Sequence, residues 1–302
     1  MNWDETKAFL QPCFPPEVQD ELALLYPGEL QEIRIRAAQP CVFRTASRTQ
    51  ALAWRPSARE VETLAEALCG HSLYARREEI RQGYVTLRGG HRLGLCGSVQ
   101  LRAGEPYTLV STASLCLRIA AQWPGAADSL LPYCLSGQQA RNLLLIGPCA
   151  SGKTTLLRDI ARQLGNDHAR LQIALVDERG ELAACHGGIP QLDVGVHTDV
   201  LDGCPKEHAI PWLIRSMNPQ IIITDELATA SDVSAVLDAM ACGCAVIASI
   251  HGTSLTDLAS RPVIASMMAR RSFDYYAVLA PDGCGAIAAV YDRNGSPVRL
   301  PE

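Results

Sequence analysis

Lysine is rare in this chain, although basic residues are not. Its 27 lysine and arginine residues include only three lysines, Lys7, Lys153 and Lys206. The 32 acidic residues leave a formal net charge of −5 at pH 7. Nonspecific nucleic-acid binding depends mainly on lysine and arginine side chains that neutralise phosphates. We therefore expect no nucleic-acid partner, and each retained lysine carries information.

The sequence also lacks a long apolar run. Its richest apolar stretch, residues 239–250, is rich in alanine and is interrupted by Gly243. A membrane-spanning helix needs about 20 predominantly apolar residues, so we expect no direct membrane insertion. The N-terminal residues 1–5 are acidic and do not show the basic region followed by an apolar region of a secretory signal. These features predict a cytoplasmic protein.

Paired cysteine motifs are missing as well. The 12 cysteines are scattered, and the closest two are Cys242 and Cys244. Disulfide frameworks belong mainly to small secreted chains. We interpret these cysteines as reduced residues that fill the core.

The length of 302 residues favours two domains. In the first part, a capping box begins a helix predicted over 57–69, and strands separated by glycine turns predict a β-meander over 84–111. Turn-forming residues at 122–125 mark a boundary. We predict a small α+β domain over residues 1–121 and a second domain over 122–302.

Apolar runs of strand length recur in the second part and alternate with helical stretches. They cover residues 142–146, 173–176, 221–224, 245–250, 275–279 and 286–291. Continuous apolar runs are typical of parallel strands that are buried on both faces. The pattern predicts an α/β domain with a mostly parallel sheet, finished by an antiparallel pair that turns at Gly283.

A phosphate-binding loop is predicted between the first of these strands and a helix over 155–164. The residues that match G-x-x-x-x-G-K-[ST] are Gly147, Pro148, Cys149, Ala150, Ser151, Gly152, Lys153 and Thr154. The backbone N–H groups of such a loop and the N-terminus of the helix bind phosphate. We predict that Lys153 neutralises β- and γ-phosphate oxygens and that Thr154 offers its hydroxyl to Mg²⁺. The adjacent Thr155 belongs to the same nucleotide site.

Two carboxylates, Asp225 and Glu226, follow the apolar strand 221–224. The carboxyl ends of parallel strands meet at one edge of the sheet, so these side chains should lie beside the phosphate loop. A site that hydrolyses a nucleotide needs an acid for the metal shell and a base for the attacking water. We predict the first role for Asp225 and the second for Glu226.

Three further polar residues end strands at the same edge. Asp177 and Glu178 are candidates for binding a metal-bound water; the alternative is that they are loop acids that pair with Arg179. His251 is a candidate for sensing the γ-phosphate, although an isolated histidine is often structural. Both alternatives stay open from the sequence.

Taken in order, residues 147–154, 177–179, 225–226 and 249–252 resemble the motifs of the type II/IV secretion ATPases. The resemblance implies a RecA-like P-loop domain that binds ATP and Mg²⁺ and assembles into a hexameric ring. It implies catalytic roles for Lys153, Glu178, Glu226 and His251. It also implies metal-binding roles for Thr154, Asp177 and Asp225.

Further segments resemble the stage III AA family of sporulation proteins. They are residues 32–36, 89–97, 176–179, 198–206 and 213–217. This resemblance implies an ATPase in the mother cell that energises the membrane-embedded channel complex toward the forespore. The chain would be peripheral at the membrane, through protein partners on the cytosolic face.

Two functions remain open at this point, a motor that hydrolyses ATP and a nucleotide-gated ring scaffold that hardly turns over. Glu226 favours the motor. His197 stands where we expect the sporulation family's arginine and favours the scaffold, because histidine carries little charge at pH 7. Arg118 is a further candidate for contacting the nucleotide of a neighbouring subunit. A nucleic-acid translocase would need a basic or aromatic stripe, which the sequence lacks.

Overall fold

The computed structural model describes residues 3–70, 76–81, 83–102, 104–137, 139–167, 171–281 and 285–299. The chain forms two compact units. Unit 1 comprises Met1–Ala121 and Ala184–Leu192, and unit 2 comprises Gln122–Ala183 and Asp193–Glu302. The segment 184–192 thus folds with the first unit although it lies in the middle of the second unit's sequence.

Unit 1 contains a six-stranded antiparallel sheet. Its strands are β1 (Leu30–Arg36), β2 (Val42–Thr45), β3 (Thr49–Ala51), β4 (Tyr84–Thr86), β5 (Arg92–Arg102) and β6 (Glu105–Arg118). They lie in the order β3-β2-β1-β6-β5-β4. β4, β5 and β6 confirm the predicted meander.

The α-helices in the described part of unit 1 are α1 (Trp3–Leu10), α2 (Pro16–Leu24), α3 (Ala58–Leu68) and α4 (Arg77–Arg81). α3 confirms the predicted capping box, because Ser57 Oγ accepts the N–H of Glu60 and the Glu60 side chain accepts the N–H of Ser57. The buried face of α3 carries Val61, Leu64, Ala65 and Leu68. These side chains belong to one core with α1, α2 and the sheet.

Unit 2 contains an eight-stranded sheet and a two-stranded one. The strands are β7 (Leu135–Ser136), β8 (Gln139–Ala140), β9 (Leu143–Gly147), β10 (Ile173–Asp177), β11 (Thr198–Asp202), β12 (Ile221–Glu226), β13 (Ala245–His251), β14 (Tyr275–Leu279), β15 (Ile287–Asp292) and β16 (Pro297–Val298). The large sheet has the order β11-β10-β12-β13-β9-β14-β15-β16. Strands β11 to β14 of this order pair in parallel, and β15 and β16 are antiparallel.

This arrangement confirms the predicted α/β class with a mostly parallel sheet and an antiparallel end. Gly283, the predicted turn of the antiparallel pair, lies outside the described residues. The edge strand β11 was not predicted, since three of its five residues are polar and the strand is only partly buried. By contrast, the central strands β9 and β10 are buried throughout.

In the described part of unit 2, helices pack beside the strands. They are α5 (Leu131–Cys134), α6 (Lys153–Asp167), α7 (Lys206–Met217), α8 (Ala230–Ala241), α9 (Leu255–Ala259) and α10 (Pro262–Ala269). One apolar core includes residues of the central strands, of α7 and α8, and of α9 and α10. This packing fixes the ends of β9, β10, β12 and β13 relative to one another.

In the described ranges we find no helix that combines the length and the apolarity needed to cross a bilayer. The cysteines of these ranges are free thiols. Cys41, Cys69, Cys134, Cys185 and Cys244 are buried, as expected of core residues, whereas Cys96, Cys149 and Cys242 are exposed.

Candidate functional site

The loop from Gly147 to Gly152 connects the buried strand β9 to the N-terminus of α6. Two of its residues adopt left-handed backbone conformations, Ala150 with a φ of 61° and Gly152 with a φ of 96°. Ser151 is buried, and its hydroxyl donates to the carbonyl of Pro148 at 2.9 Å. The loop therefore wraps tightly around its own first turn before the helix begins.

Gly147 is required by this close approach. A Cβ at this position would lie 2.3 Å from Ser151 Oγ and 3.2 Å from the Cβ of Leu279. Any side chain here would push the loop away from β9. The glycine thus allows the compact form of the loop.

Lys153, Thr154 and Thr155 form the first turn of α6 and are half-buried. The ammonium of Lys153 donates to the carbonyl oxygens of Gly147 and Pro148 at 2.8 and 2.6 Å. Burial lowers the pKa of Lys153, while the negative charge of Glu226 opposes that effect. The lysine of the loop and the acid that ends β12 therefore influence each other electrostatically.

Asp225 and Glu226 lie at the carboxyl end of β12, where the pairing with β13 is irregular between Thr224 and Glu226. Asp225 is buried, whereas the side chain of Glu226 is 34% exposed. Arg179 lies 3.9 Å from the Glu226 carboxylate. The two acids therefore have different environments, one enclosed and one open to solvent.

Lys206, for which the sequence predicted no role, connects Glu178 and Asp225. Lys206, the first residue of α7, is buried at 3% exposure. Its ammonium lies 2.8 Å from Glu178 Oε2 and 2.6 Å from Asp225 Oδ1. Burial raises the pKa of Asp225, against the opposing effect of Lys206. The rarity of lysine in the chain was the sequence signal that could have identified this residue.

Asp177 is fully buried at the end of β10 and binds its own loop. Its Oδ1 accepts the N–H groups of Glu181 and Leu182 at 2.8 and 3.0 Å, and its Oδ2 accepts that of Ala183 at 2.8 Å. Arg158 of α6 donates to the carbonyl oxygens of Glu181 and Leu182, each at 2.6 Å. The carboxylate thus stabilises the loop that carries Glu178; its predicted metal-binding role stays a prediction.

His251 ends β13 directly beside the phosphate loop, since its register partner on β9 is Gly147. Nδ1 of His251 lies 3.8 Å from Sγ of Cys149, and Arg261 donates to the His251 carbonyl at 2.7 Å. The imidazole is thus close to the loop that would hold phosphates. Its sensing role stays a prediction.

His197 and Arg118 are the two further candidates from the sequence. His197 precedes β11, so it belongs to the amino edge of the parallel sheet, opposite to the phosphate loop, and does not join the site within one chain. Arg118 belongs to unit 1, where it lies 3.7 Å from Glu32, and its contact with a neighbouring subunit's nucleotide stays a prediction.

The oxygen donors near the loop suit Mg²⁺, which prefers carboxylate and hydroxyl oxygens and usually binds one or two carboxylates together with phosphates. Thr154 and Asp225 supply donors of this chemistry. Among the described residues, no group of three or more His, Cys, Asp or Glu side chains could hold a metal by itself. The donor set therefore fits a metal that binds together with a phosphate ligand.

Comparison with solved structures defines the class of fold. The pilus retraction motor PilT, solved with bound ADP, matches with a TM-score of 0.58 and 16% identity over 82% of this chain and 74% of the PilT chain. The ATPase DotB of Legionella pneumophila matches with a TM-score of 0.56 and 15% identity over 82% of this chain and 72% of its own. The large sheet and its helices thus have the RecA-like fold of secretion ATPases.

Comparison of sequences defines the family. The family model of Sporulation stage III, protein AA matches residues 20–298. Stage III sporulation protein AA of Bacillus subtilis (strain 168) is 40% identical over 272 residues, which are 89% of this chain and 88% of that protein. This chain belongs to the family Sporulation stage III, protein AA.

Proposed function

We propose that this chain is an Mg²⁺-dependent ATP hydrolase that works as a motor within a ring of six copies. The observation that carries the proposal is that Lys153 and Glu226 lie at nearby strand ends at one edge of the sheet: Lys153 comes after the loop that leaves β9, Glu226 ends β12, and β13 pairs with both strands. Lys153 lies on a phosphate loop, and Glu226 is open to solvent. A cation for phosphate and an accessible base are the two groups that hydrolysis of a phosphoanhydride requires.

In this proposal each residue has one role toward ATP. Backbone N–H groups of the loop 147–152 and the N-terminus of α6 bind the β-phosphate, because the first N–H groups of a helix have no acceptor within the helix and attract anions. Lys153 releases the carbonyls of its own loop and binds β- and γ-phosphate oxygens. Glu226 accepts a hydrogen bond from the attacking water and takes its proton.

The remaining residues orient these groups. Thr154 and Asp225 would hold Mg²⁺, which when bound neutralises charge on the β- and γ-phosphate oxygens. Arg179 lies close enough to Glu226 to orient its carboxylate. His251 is positioned beside Cys149 of the loop to contact the terminal phosphate.

The family membership supports a specific context for this activity. We infer that the motor acts in the cytoplasm of the mother cell and energises the membrane-embedded channel complex toward the forespore. Its association with the membrane would then depend on protein partners of that complex.

A nucleotide-gated scaffold is the second candidate, and His197 favours it. The sporulation family's pattern leads us to expect an arginine there, which would carry a fixed positive charge toward a neighbouring subunit. Histidine is mostly neutral at pH 7, so transition-state stabilisation across an interface would be weak. The ring would then bind ATP and assemble but hardly hydrolyse it.

The variant Glu226→Gln separates the two candidates. It keeps the shape of the side chain and the metal shell of Asp225 but removes the base. We expect single-turnover hydrolysis of ATP to fall by a factor on the order of 10² to 10⁴, while nucleotide binding persists. Equal single-turnover rates of wild type and variant would refute the motor and leave the scaffold.

A matched control is Glu207→Gln, which makes the same chemical change on the exposed first turn of α7. It should leave binding and hydrolysis unchanged. A loss of rate in this control would mean that surface charge, rather than a positioned base, sets the rate.

A further inference from the structure

Lys206 occupies an unusual position for a lysine. Its side chain is 3% exposed, and one ammonium nitrogen bridges the carboxylates of Glu178 and Asp225 at 2.8 and 2.6 Å. These acids come from the ends of two neighbouring parallel strands, β10 and β12. Two carboxylates this close repel each other strongly unless a cation lies between them.

The backbone fixes the lysine at this point. Pro205 is the N-cap of α7 and Lys206 is its first residue. The loop before α7 is attached to the end of β10, because Gly203 donates its N–H to the carbonyl of Asp177 at 3.1 Å. The ammonium is therefore held at the sheet edge by rigid elements and not by a long mobile loop.

We propose that Lys206 is a resident counter-cation: it fills the cation position between Glu178 and Asp225 in the nucleotide-free protein, so that a divalent metal enters only together with a nucleotide. This inference rests on the proposed function, since it concerns the metal of that same site. Lys206 acts here as a positioning residue, because it contacts the acids and not the reacting atoms.

The energetic reason is that a buried carboxylate without a partner is strongly unfavourable. Without Lys206, the pair Glu178 and Asp225 would attract any cation that reaches it. With Lys206, a free metal ion must compete with an ammonium already in hydrogen-bonding distance. A nucleotide changes this balance, because its phosphates provide ligands that Mg²⁺ prefers.

The test measures metal binding rather than activity. Binding of Mn²⁺ to the full chain is followed by electron paramagnetic resonance, first without nucleotide and then with a non-hydrolysable ATP analogue. For the wild type we expect much weaker Mn²⁺ binding without nucleotide than with the analogue. For Lys206→Met without nucleotide we expect an affinity for Mn²⁺ at least about tenfold higher than that of the wild type.

Two controls test whether the gain in Mn²⁺ affinity comes from the position between the two acids. Lys7→Met removes a lysine from the surface helix α1 and should behave like the wild type. In Lys206→Met combined with Glu178→Gln, one of the two acids is gone, and the gain in Mn²⁺ affinity should disappear. A gain that survives in the double variant would overturn the assignment of the cation position.

If Lys206→Met does not fold, Mn²⁺ binding to the wild type still tests the proposal. Mn²⁺ binding to the nucleotide-free wild type as tight as binding with the analogue would overturn it. Failure of the proposed function has a different signature, since the analogue would then bring no Mn²⁺ to the wild type at all. A folded Lys206→Met protein that binds no Mn²⁺ would reduce Lys206 to a structural ion pair.

Discussion

The ammonium of Lys153 lies 2.6 Å from the carbonyl oxygen of Pro148. A second bond, at 2.8 Å, joins it to the carbonyl of Gly147. The lysine thus bonds to its own loop, and in the proposed function a phosphate would replace these two neutral acceptors by charged ones. Charge-assisted bonds are stronger than neutral ones, which provides the driving force for that exchange.

Lys153→Ala should therefore weaken binding of Mg-ATP to the point where calorimetry no longer detects it. Each hydrogen bond between charged groups contributes about 1.5–3 kcal/mol, so the loss of two corresponds to a factor on the order of 10² or more in affinity. The control Lys7→Ala should bind like the wild type. Unchanged affinity in Lys153→Ala would show that the loop does not bind phosphate.

Asp177→Asn should destabilise the protein by about 1–3 kcal/mol, the effect of leaving a buried N–H group without an acceptor. The amide would place an N–H₂ group against the N–H of Glu181 and Leu182 or of Ala183. Urea unfolding compared with the exposed control Asp199→Asn would measure this difference. The Mg²⁺ concentration needed for nucleotide binding should stay the same if the role of Asp177 is structural. A higher Mg²⁺ requirement with unchanged stability would instead support its predicted metal role.

The central strands and the phosphate loop could be predicted because local sequence determines them. The runs 143–146 and 173–176 are apolar throughout, and 221–224 is apolar except for Thr224, as expected for strands buried on both faces. The spacing of glycine, lysine and threonine in the loop is specific to phosphate-binding loops, so the sequence motif alone predicts the loop. These features also placed Asp225 and Glu226 at the carboxyl edge.

Other features depend on contacts between distant residues and could not be predicted. Strand β11 pairs with β10, although three of its own five residues are polar and the strand is partly exposed. The segment 184–192 folds with unit 1 through interactions such as the bond from Gly89 N–H to Gln191 at 2.9 Å. Lys206 is separated from Glu178 by the whole of that segment and β11. No periodicity in the sequence indicates these pairings.

His91 in unit 1 should make stability depend on pH. The ring is 1% exposed, and its Nδ1 accepts the N–H of Ala120 at 3.1 Å. Nε2 is buried without a hydrogen-bond partner among the described residues. Burial lowers the pKa of His91 from 6.5 to about 4. The folded protein therefore keeps this imidazole neutral.

The lowered pKa of His91 determines in which direction the free energy of unfolding changes with pH. Above about pH 6.5 the histidine is neutral in both states, and its contribution to stability is complete. As the pH falls toward about 4, the unfolded chain binds a proton that the folded chain does not, so stability is lost. Between pH 7 and pH 5 we expect a loss of about 2 kcal/mol in the free energy of unfolding.

Urea unfolding at both pH values would measure this loss. His91→Gln should remove it, since the amide oxygen can still accept the Ala120 N–H but does not titrate. His208→Gln, which changes a 69% exposed histidine, should unfold like the wild type at both pH values. The same pH dependence in His91→Gln and the wild type would show that other groups cause it.

Assembly should depend on nucleotide, because a single open α/β unit leaves Glu226 and the phosphate loop accessible to water. Mass photometry with a non-hydrolysable ATP analogue should show a species several times the mass of one chain. In Glu226→Gln, ATP itself should have the same effect, since hydrolysis no longer resets the ring. Lys153→Ala should keep the mass of one chain with either nucleotide, because this variant should not bind nucleotide. If the wild-type protein stays monomeric with the analogue at tens of µM, roughly the concentration at which weak interfaces form, a ring requires the partner complex. Co-assembly with those partners would then become the decisive measurement.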